Sequence, residues 1–143
     1  MKYLLLLITI VMISCNSNDN KKANISSAPS VHFDGLYQSG VRTNEATGDK
    51  STSYLRFYED GSVINVSSSG TAEQVSKWFA KGNENVSQGT YTIHDKNISF
   101  TSSGNNVDVQ YEGEVVTSVL LQLHTKSSSN NHEADISYSF VKQ

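Results

Sequence analysis

One cysteine, one proline and one tryptophan in 143 residues set the first limits on this chain. A lone thiol, Cys15, cannot form an internal disulfide, and an odd cysteine in an exported-looking chain needs a separate explanation. The longest apolar run, Leu4 to Ile13, is about half of the roughly 20 residues that a membrane-spanning helix requires. Positive charge is scarce: the formal net charge is −3, and no basic block exceeds Lys21-Lys22. The clustered positive face that nucleic acid binding needs is therefore missing. Catalytic signatures are missing too. There is no G-x-S-x-G, no H-E-x-x-H and no glycine-rich phosphate loop. His32, His94, His124 and His132 are scattered, none at ligand spacing from another histidine or from the cysteine, so neither a metal centre nor a cofactor is expected. The carboxylates of Glu59-Asp60 and of Glu112 and Glu114 fall at strand ends and turns, where they read as solvated rims. These absences point away from an enzyme.

What is present begins at the N-terminus. Met1-Lys2-Tyr3 supplies one cation, Leu4 to Ile13 a short apolar run, and Ser14-Cys15 a small-residue border, which are the three parts of a secretory signal. An A-x-A-like cleavage site does not follow. Met12-Ile13-Ser14-Cys15 instead resembles the lipobox of bacterial lipoproteins, with Met12 where that family usually has leucine. The resemblance implies a signal peptide over residues 1–14. It also implies a diacylglycerol on the Cys15 sulfur, with palmitate-type chains, and Cys15 as the first mature residue. One acyl chain anchors only marginally, since each buried methylene contributes about 0.8 kcal/mol, whereas two or three hold firmly. Residues 16–30, NSNDNKKANISSAPS, are Asn/Ser-rich and contain Pro29. They bury too little to order themselves, so residues 15–31 are expected to be a lipidated cysteine on a flexible tether. Asn16 stands where an aspartate would retain an enteric-type lipoprotein at the inner membrane. The expected location is therefore the cell envelope, at the outer membrane.

From residue 32 to 143 the pattern has a period of two. GLYQSGVR is followed by SYLRFYEDGSVINVS, in which Leu55 and Phe57 take one face and Tyr54, Arg56 and Tyr58 the other. Asp60-Gly61 between β-rich runs signals a hairpin. GTYTIHDKNISF repeats the device around Asp95-Lys96-Asn97. VDVQYEG puts Val107, Val109 and Tyr111 in phase. VVTSVLLQLHTK reads as one further strand with Val119, Leu121 and Leu123 in step, and DISYSFVK closes with Ile136, Tyr138 and Phe140. Ser102 to Asn106 and Ser127 to His132 read as polar loops. One segment departs from this rhythm. In TAEQVSKWFAKG, Val75, Trp78 and Phe79 have helical spacing. Thr71 with Gln74 forms a capping box, Glu73 and Lys77 form an i,i+4 pair, and Gly82 suits a left-handed cap. A short helix over about 71–81 is thus expected between the third and fourth strands. Its Trp78 and Phe79 would cover a barrel end or a sheet face. Eight one-sided strands can close as a barrel or stack as a sandwich. Successive hairpins favour the barrel, which also leaves no open edge.

FDGLYQS, SYLRFYEDGSVI, GTYTIHDKNISF and VQYEGEVVTSVLLQL together resemble bacterial lipocalin-like, calycin-type lipoproteins. Gly35-Leu36-Tyr37 stands at the opening position, with tyrosine where lipocalins proper have tryptophan. The resemblance implies an all-β, eight-stranded antiparallel up-and-down barrel over residues 32–143. It also implies that the protein binds a small apolar or amphipathic molecule. The candidate ligand-binding residues are Tyr54, Arg56, Tyr58 and Trp78. If the Tyr54–Arg56–Tyr58 face points inward, it lines a cavity and orients a ligand's polar end. If it points outward, it is a Tyr/Arg surface of the kind enriched at interfaces. The alternative expectation is an interaction or inhibitor module of the cell envelope with a solid barrel core. In both cases the partner set is the membrane, through the anchor, and either a small ligand or an envelope protein.

Overall fold

A computed structural model describes residues 28–143 of the chain. The signal peptide, Cys15 and most of the expected tether lie outside the described residues. The described chain is all-β with one short helical segment. The strands are β1 (Gly35–Ser39), β2 (Arg42–Thr43), β3 (Lys50–Phe57), β4 (Ser62–Ser68), β5 (Ser87–His94), β6 (Asn97–Gly104), β7 (Val107–Thr117), β8 (Leu120–Ser127) and β9 (Glu133–Lys142). β3 to β9 pair in sequence order as an antiparallel meander, and β9 pairs with β1. β1 also pairs with β3, through Tyr37 opposite Leu55, and this closes an eight-stranded barrel. Closure satisfies the backbone groups that an open sheet would leave at its edges. The two-residue β2 lies outside this cycle as a short ribbon on β3, too brief to leave a period in the sequence.

The period of two builds the barrel wall directly, because successive side chains point to opposite faces. Tyr37, Leu55, Phe57, Val63, Ile98, Phe100, Tyr111, Leu121, Leu123 and Tyr138 all enter one buried cluster. Phe57 is its hub. Its ring meets Tyr37, Tyr91 and Phe100 edge-on, at centroid distances of 5.5, 5.0 and 5.8 Å. Phe100 in turn stacks on Tyr111 at 4.4 Å. Such pairs add about 0.5–1.5 kcal/mol each beyond their area burial. The wall bends sharply where side chains are absent. A Cβ on Gly89 would lie 1.9 Å from the Thr101 carbonyl oxygen, and one on Gly113 would lie 2.0 Å from that of Gln122.

Turn chemistry is local and legible. Asp95, Asn105 and Asn106 have φ of 56°, 52° and 63°, the left-handed values that two-residue hairpin turns require and that Asp and Asn tolerate. Gly61 takes φ 84° after Asp60, as the Asp-Gly signal predicts. Two boundaries differ from the sequence reading. Ser102 and Ser103 belong to β6, because the Asn105-Asn106 turn needs only two residues. VVTSVLLQLHTK is not one strand: β7 runs on to Thr117, and β8 starts at Leu120 after a bulge between Val115 and Thr117. Val119 therefore sits at a turn, 50% exposed.

The expected helix forms between β4 and β5. Thr71 and Gln74 make the capping box in both directions. The α-helical part is only Ala72–Val75, and it tightens to a 3-10 turn over Ser76–Phe79. Ala80 is already extended, so Gly82, with φ 85°, lies beyond the helix end. The segment packs on the outside of the barrel. Val75 and Phe79 join Leu36, Tyr54, Ile64 and Val66 in a second cluster, made from outward residues of β1, β3 and β4. Each such large side chain contributes about 1.5–3 kcal/mol on full burial.

The barrel has two unlike ends. At one, Val31 is 5% exposed and joins the interior cluster. The Tyr37 hydroxyl there accepts from the His32 amide at 2.8 Å and donates to the Ser118 carbonyl. The incoming chain thus seals this end. The other end collects the β1–β3 connection, the helical excursion, the Asn105-Asn106 turn and the Ser128–His132 loop. Among the described residues no helix is long and apolar enough to cross a membrane.

Candidate binding site at the open end of the barrel

Towards the open end the inward positions change chemistry. Ser53 continues the phase of Leu55 and Phe57, Asn65 that of Val63, Ser102 that of Phe100, and Thr125 that of Leu123. Ser53, Ser102 and Thr125 are buried at 8%, 1% and 6% exposure. The Ser53 hydroxyl accepts from Asn65 Nδ2 at 3.0 Å and from the Tyr138 hydroxyl at 3.1 Å. Its amide donates to Ser39 Oγ at 2.9 Å. The Tyr111 hydroxyl interacts with that of Tyr138. Ser102 Oγ has no hydrogen-bond partner among the described residues. Burial holds both the Tyr111 and Tyr138 hydroxyls well above the usual tyrosine range, opposed in part by the charge of Arg42. Arg42 is exposed and lines the same groove as Ser53.

Two grooves open from this layer and share Ser67. The mouth groove, of about 520 Å³, runs between the β2–β3 connection and the β8–β9 loop. Ser53 lies at its floor, and Arg42, Asn44 and His132 are on its walls. Arg42 Nη2 lies 3.5 Å from His132 Nε2. The flank groove, also about 520 Å³, lies where β4 and β5 part company. Their ladder ends at Asn65 opposite Ser87, while β4 continues to Ser68. Val66, Trp78, Val86 and several asparagines line the gap. Both volumes fall within the roughly 300–1,000 Å³ range of small-ligand pockets. Neither groove enters the apolar interior, which is occupied by the aromatic cluster around Phe57.

The structure gives the candidate residues different places. Tyr54, Arg56 and Tyr58 stand on the outer wall, but they do not form the exposed patch that the outward alternative expected, because the helical segment packs over Tyr54 and against Tyr58. The Tyr54 hydroxyl donates to the Gly70 carbonyl at 2.7 Å, and that of Tyr58 donates to the Phe79 carbonyl. Desolvation raises the Tyr58 pKa against the opposing Arg56 charge. Arg56 Cζ lies 5.5 Å and Lys81 Nζ 4.8 Å from the Tyr58 ring centroid. The Arg56 Nε is buried without a hydrogen-bond partner among the described residues. Tyr54 and Tyr58 hold the helical excursion to the wall, Arg56 lies against Tyr58, and none of the three lines either groove. Trp78 is the one candidate that borders a groove; it is 39% exposed, while its neighbour Phe79 is the buried anchor. Sequence reading missed Arg42, His132, Ser53 and Ser102. The serines carried a signal, since they prolong apolar phases towards one end of the barrel. Arg42 and His132 lie 90 residues apart and meet only through barrel closure. Among the described residues no cluster of His, Cys, Asp and Glu has metal-binding geometry. No family model, no curated protein and no solved structure matches the chain.

Proposed function

We propose that this chain is a lipid-anchored protein of the bacterial cell envelope whose lipocalin-like barrel takes up a small amphipathic molecule at its open end. The observation that carries this reading is the change of inward lining. A filled aromatic interior gives way to buried hydroxyls, and Arg42 lines the groove that reaches Ser53. A wholly apolar ligand gains little there, because the interior is already occupied. A ligand with an anionic head can exchange hydration for Arg42 and the Ser53 hydroxyl, while its apolar part lies along the groove walls. The activity is sequestration, with no bond made or broken. The described chain enters the barrel at the sealed end, opposite the mouth.

Two experiments test the two halves. Cys15→Ser should move the protein from the membrane to the soluble fraction, and a variant that still sediments with membranes removes the anchor. Native mass spectrometry of full-length protein extracted in mild detergent should show a bound small molecule. Arg42→Gln should lower its occupancy at least about tenfold, the equivalent of one charge-assisted hydrogen bond. Bare protein, or equal occupancy in both, removes the ligand reading. The filled interior also favours a second reading, a solid-core module that binds an envelope protein. Under that reading, cross-links placed beside Arg42 would capture a partner while the native mass stays bare.

A further inference from the structure

The flank groove offers a chemistry that the mouth does not, and we infer that it is a separate binding site for a neutral saccharide. Among the described residues no charged side chain lines it, so an ionic ligand would find no counter-charge there. A purely apolar ligand would strip water from its amides and return nothing, at a cost of about 1–3 kcal/mol per unpaired group. A saccharide matches both features. Its hydroxyls donate and accept, as amides do, and the C–H face of a pyranose ring fits against the negative face of an indole. Trp78 provides that indole on one side of the groove.

The groove is held ready by its own polar contacts. Asn83 bonds locally through both ends of its amide: Nδ2 donates to the Trp78 carbonyl at 3.0 Å, and Oδ1 accepts from the Asn85 amide at 3.1 Å. This ties the tryptophan and Asn85 into one loop, fixed to the barrel by Phe79, which is 2% exposed. Asn65 donates to Ser53 Oγ and to the Tyr54 carbonyl, which leaves its carbonyl oxygen for the groove. Asn85 and Asn105, from two different connections, also line it. Asn105 comes from the tight β6–β7 turn, which positions it through a left-handed φ of 52°. The site therefore combines one aromatic platform with amides from three separate elements. It adjoins the mouth at the shared Ser67 and through the Asn65–Ser53 hydrogen bond, while Trp78, Asn85 and Asn105 belong to the flank groove alone.

Trp78 is the only tryptophan in the chain, so its emission reports on this groove alone. Full-length protein, in a detergent without a sugar head group, is titrated separately with N,N′-diacetylchitobiose, cellobiose and maltotriose. Titration to about 20 mM covers millimolar affinities. At least one of the three should shift the emission saturably. Asn85→Ala with Asn105→Gly removes two amides while keeping the turn conformation accessible. That pair should weaken the response about tenfold, as expected for two lost hydrogen bonds. No saturable change with any of the three, or wild-type affinity in the double variant, overturns the inference. The mouth reading is judged by native mass and Arg42, so either proposal can fail alone.

Discussion

The two ends of the barrel are built by the same eight strands, yet they have opposite physical characters. At the sealed end the inward side chains are large, the aromatic rings interlock, and Val31 closes the gap while Tyr37 bonds both the entering chain and the β7–β8 turn. At the open end serine, threonine and asparagine enter the inward positions beside smaller apolar residues such as Val109 and Ala134, and Arg42 and His132 line the groove there. Most of the wall keeps its pairing towards the mouth: β6 and β7 pair all the way from Asn97–Glu114 to Gly104–Val107, and only the β4–β5 ladder stops short, at Asn65–Ser87. Along β6 what changes is the residue type at every second position. Hydrogen bonding of the wall and filling of the interior are therefore separable. The wall carries the architecture, the sealed end carries most of the packing energy, and the open end is left free to be polar.

The largest break in that contrast should come from the sealed end. Phe57→Ala removes the ring that touches Tyr37, Tyr91 and Phe100. It should cost about 3–5 kcal/mol, read as a lower urea midpoint with an unchanged slope. A loss below about 1 kcal/mol would mean that the interior is loosely filled and has room for a ligand after all. Tyr37→Phe tests the seal itself. It keeps the ring but leaves the His32 amide and the Ser118 carbonyl without their shared hydroxyl, at a cost of about 1–3 kcal/mol. Near-wild-type stability in that variant would separate the entering segment from the fold's energetics.

Most of this architecture was legible in the sequence. Leu55 and Phe57 alternate with Tyr54, Arg56 and Tyr58 as the strand geometry demands, Asp60-Gly61 turns where it should, and Thr71 and Gln74 cap the helix. The orientation of the Tyr54 face was not legible. A period of two assigns residues to faces without saying which face is the inside, and here both are buried: Leu55 by the barrel and Tyr54 by the helical segment. Nor was the mouth legible as a site. Ser53 and Ser102 look like loop or surface residues until closure turns their phase inward. Arg42 lies on a two-residue strand and meets His132 only across the closed barrel.

Alkaline titration sharpens the comparison at the boundary between the two layers. Burial raises the pKa of Tyr111 and Tyr138 above the ordinary value near 10, so the native state holds their protons more tightly than the unfolded state. The stability linked to those protons is fully present below about pH 10 and is lost as pH climbs towards the raised native values. Phenolate absorbance should therefore rise late, with the Tyr111 and Tyr138 share appearing together with cooperative unfolding. A single smooth titration near pH 10, with the fold intact, would mean that the hydroxyl layer is open to solvent.

The smallest expected effect, and the most discriminating, is at Ser102. Its side chain sits one inward step beyond Phe100, 1% exposed, and its hydroxyl has no partner among the described residues. If the sealed interior extends this far, that hydroxyl is a buried polar group without compensation. Ser102→Ala would then remove a penalty at almost no cost in volume and raise stability by up to about 1 kcal/mol. If the layer belongs to the mouth, the hydroxyl bonds to whatever fills the groove, and the same substitution lowers stability by a similar amount while weakening retention of the bound molecule. Denaturant midpoints of wild type and Ser102→Ala, measured with and without that molecule, decide on which side of Ser102 the solid core ends and the binding site begins.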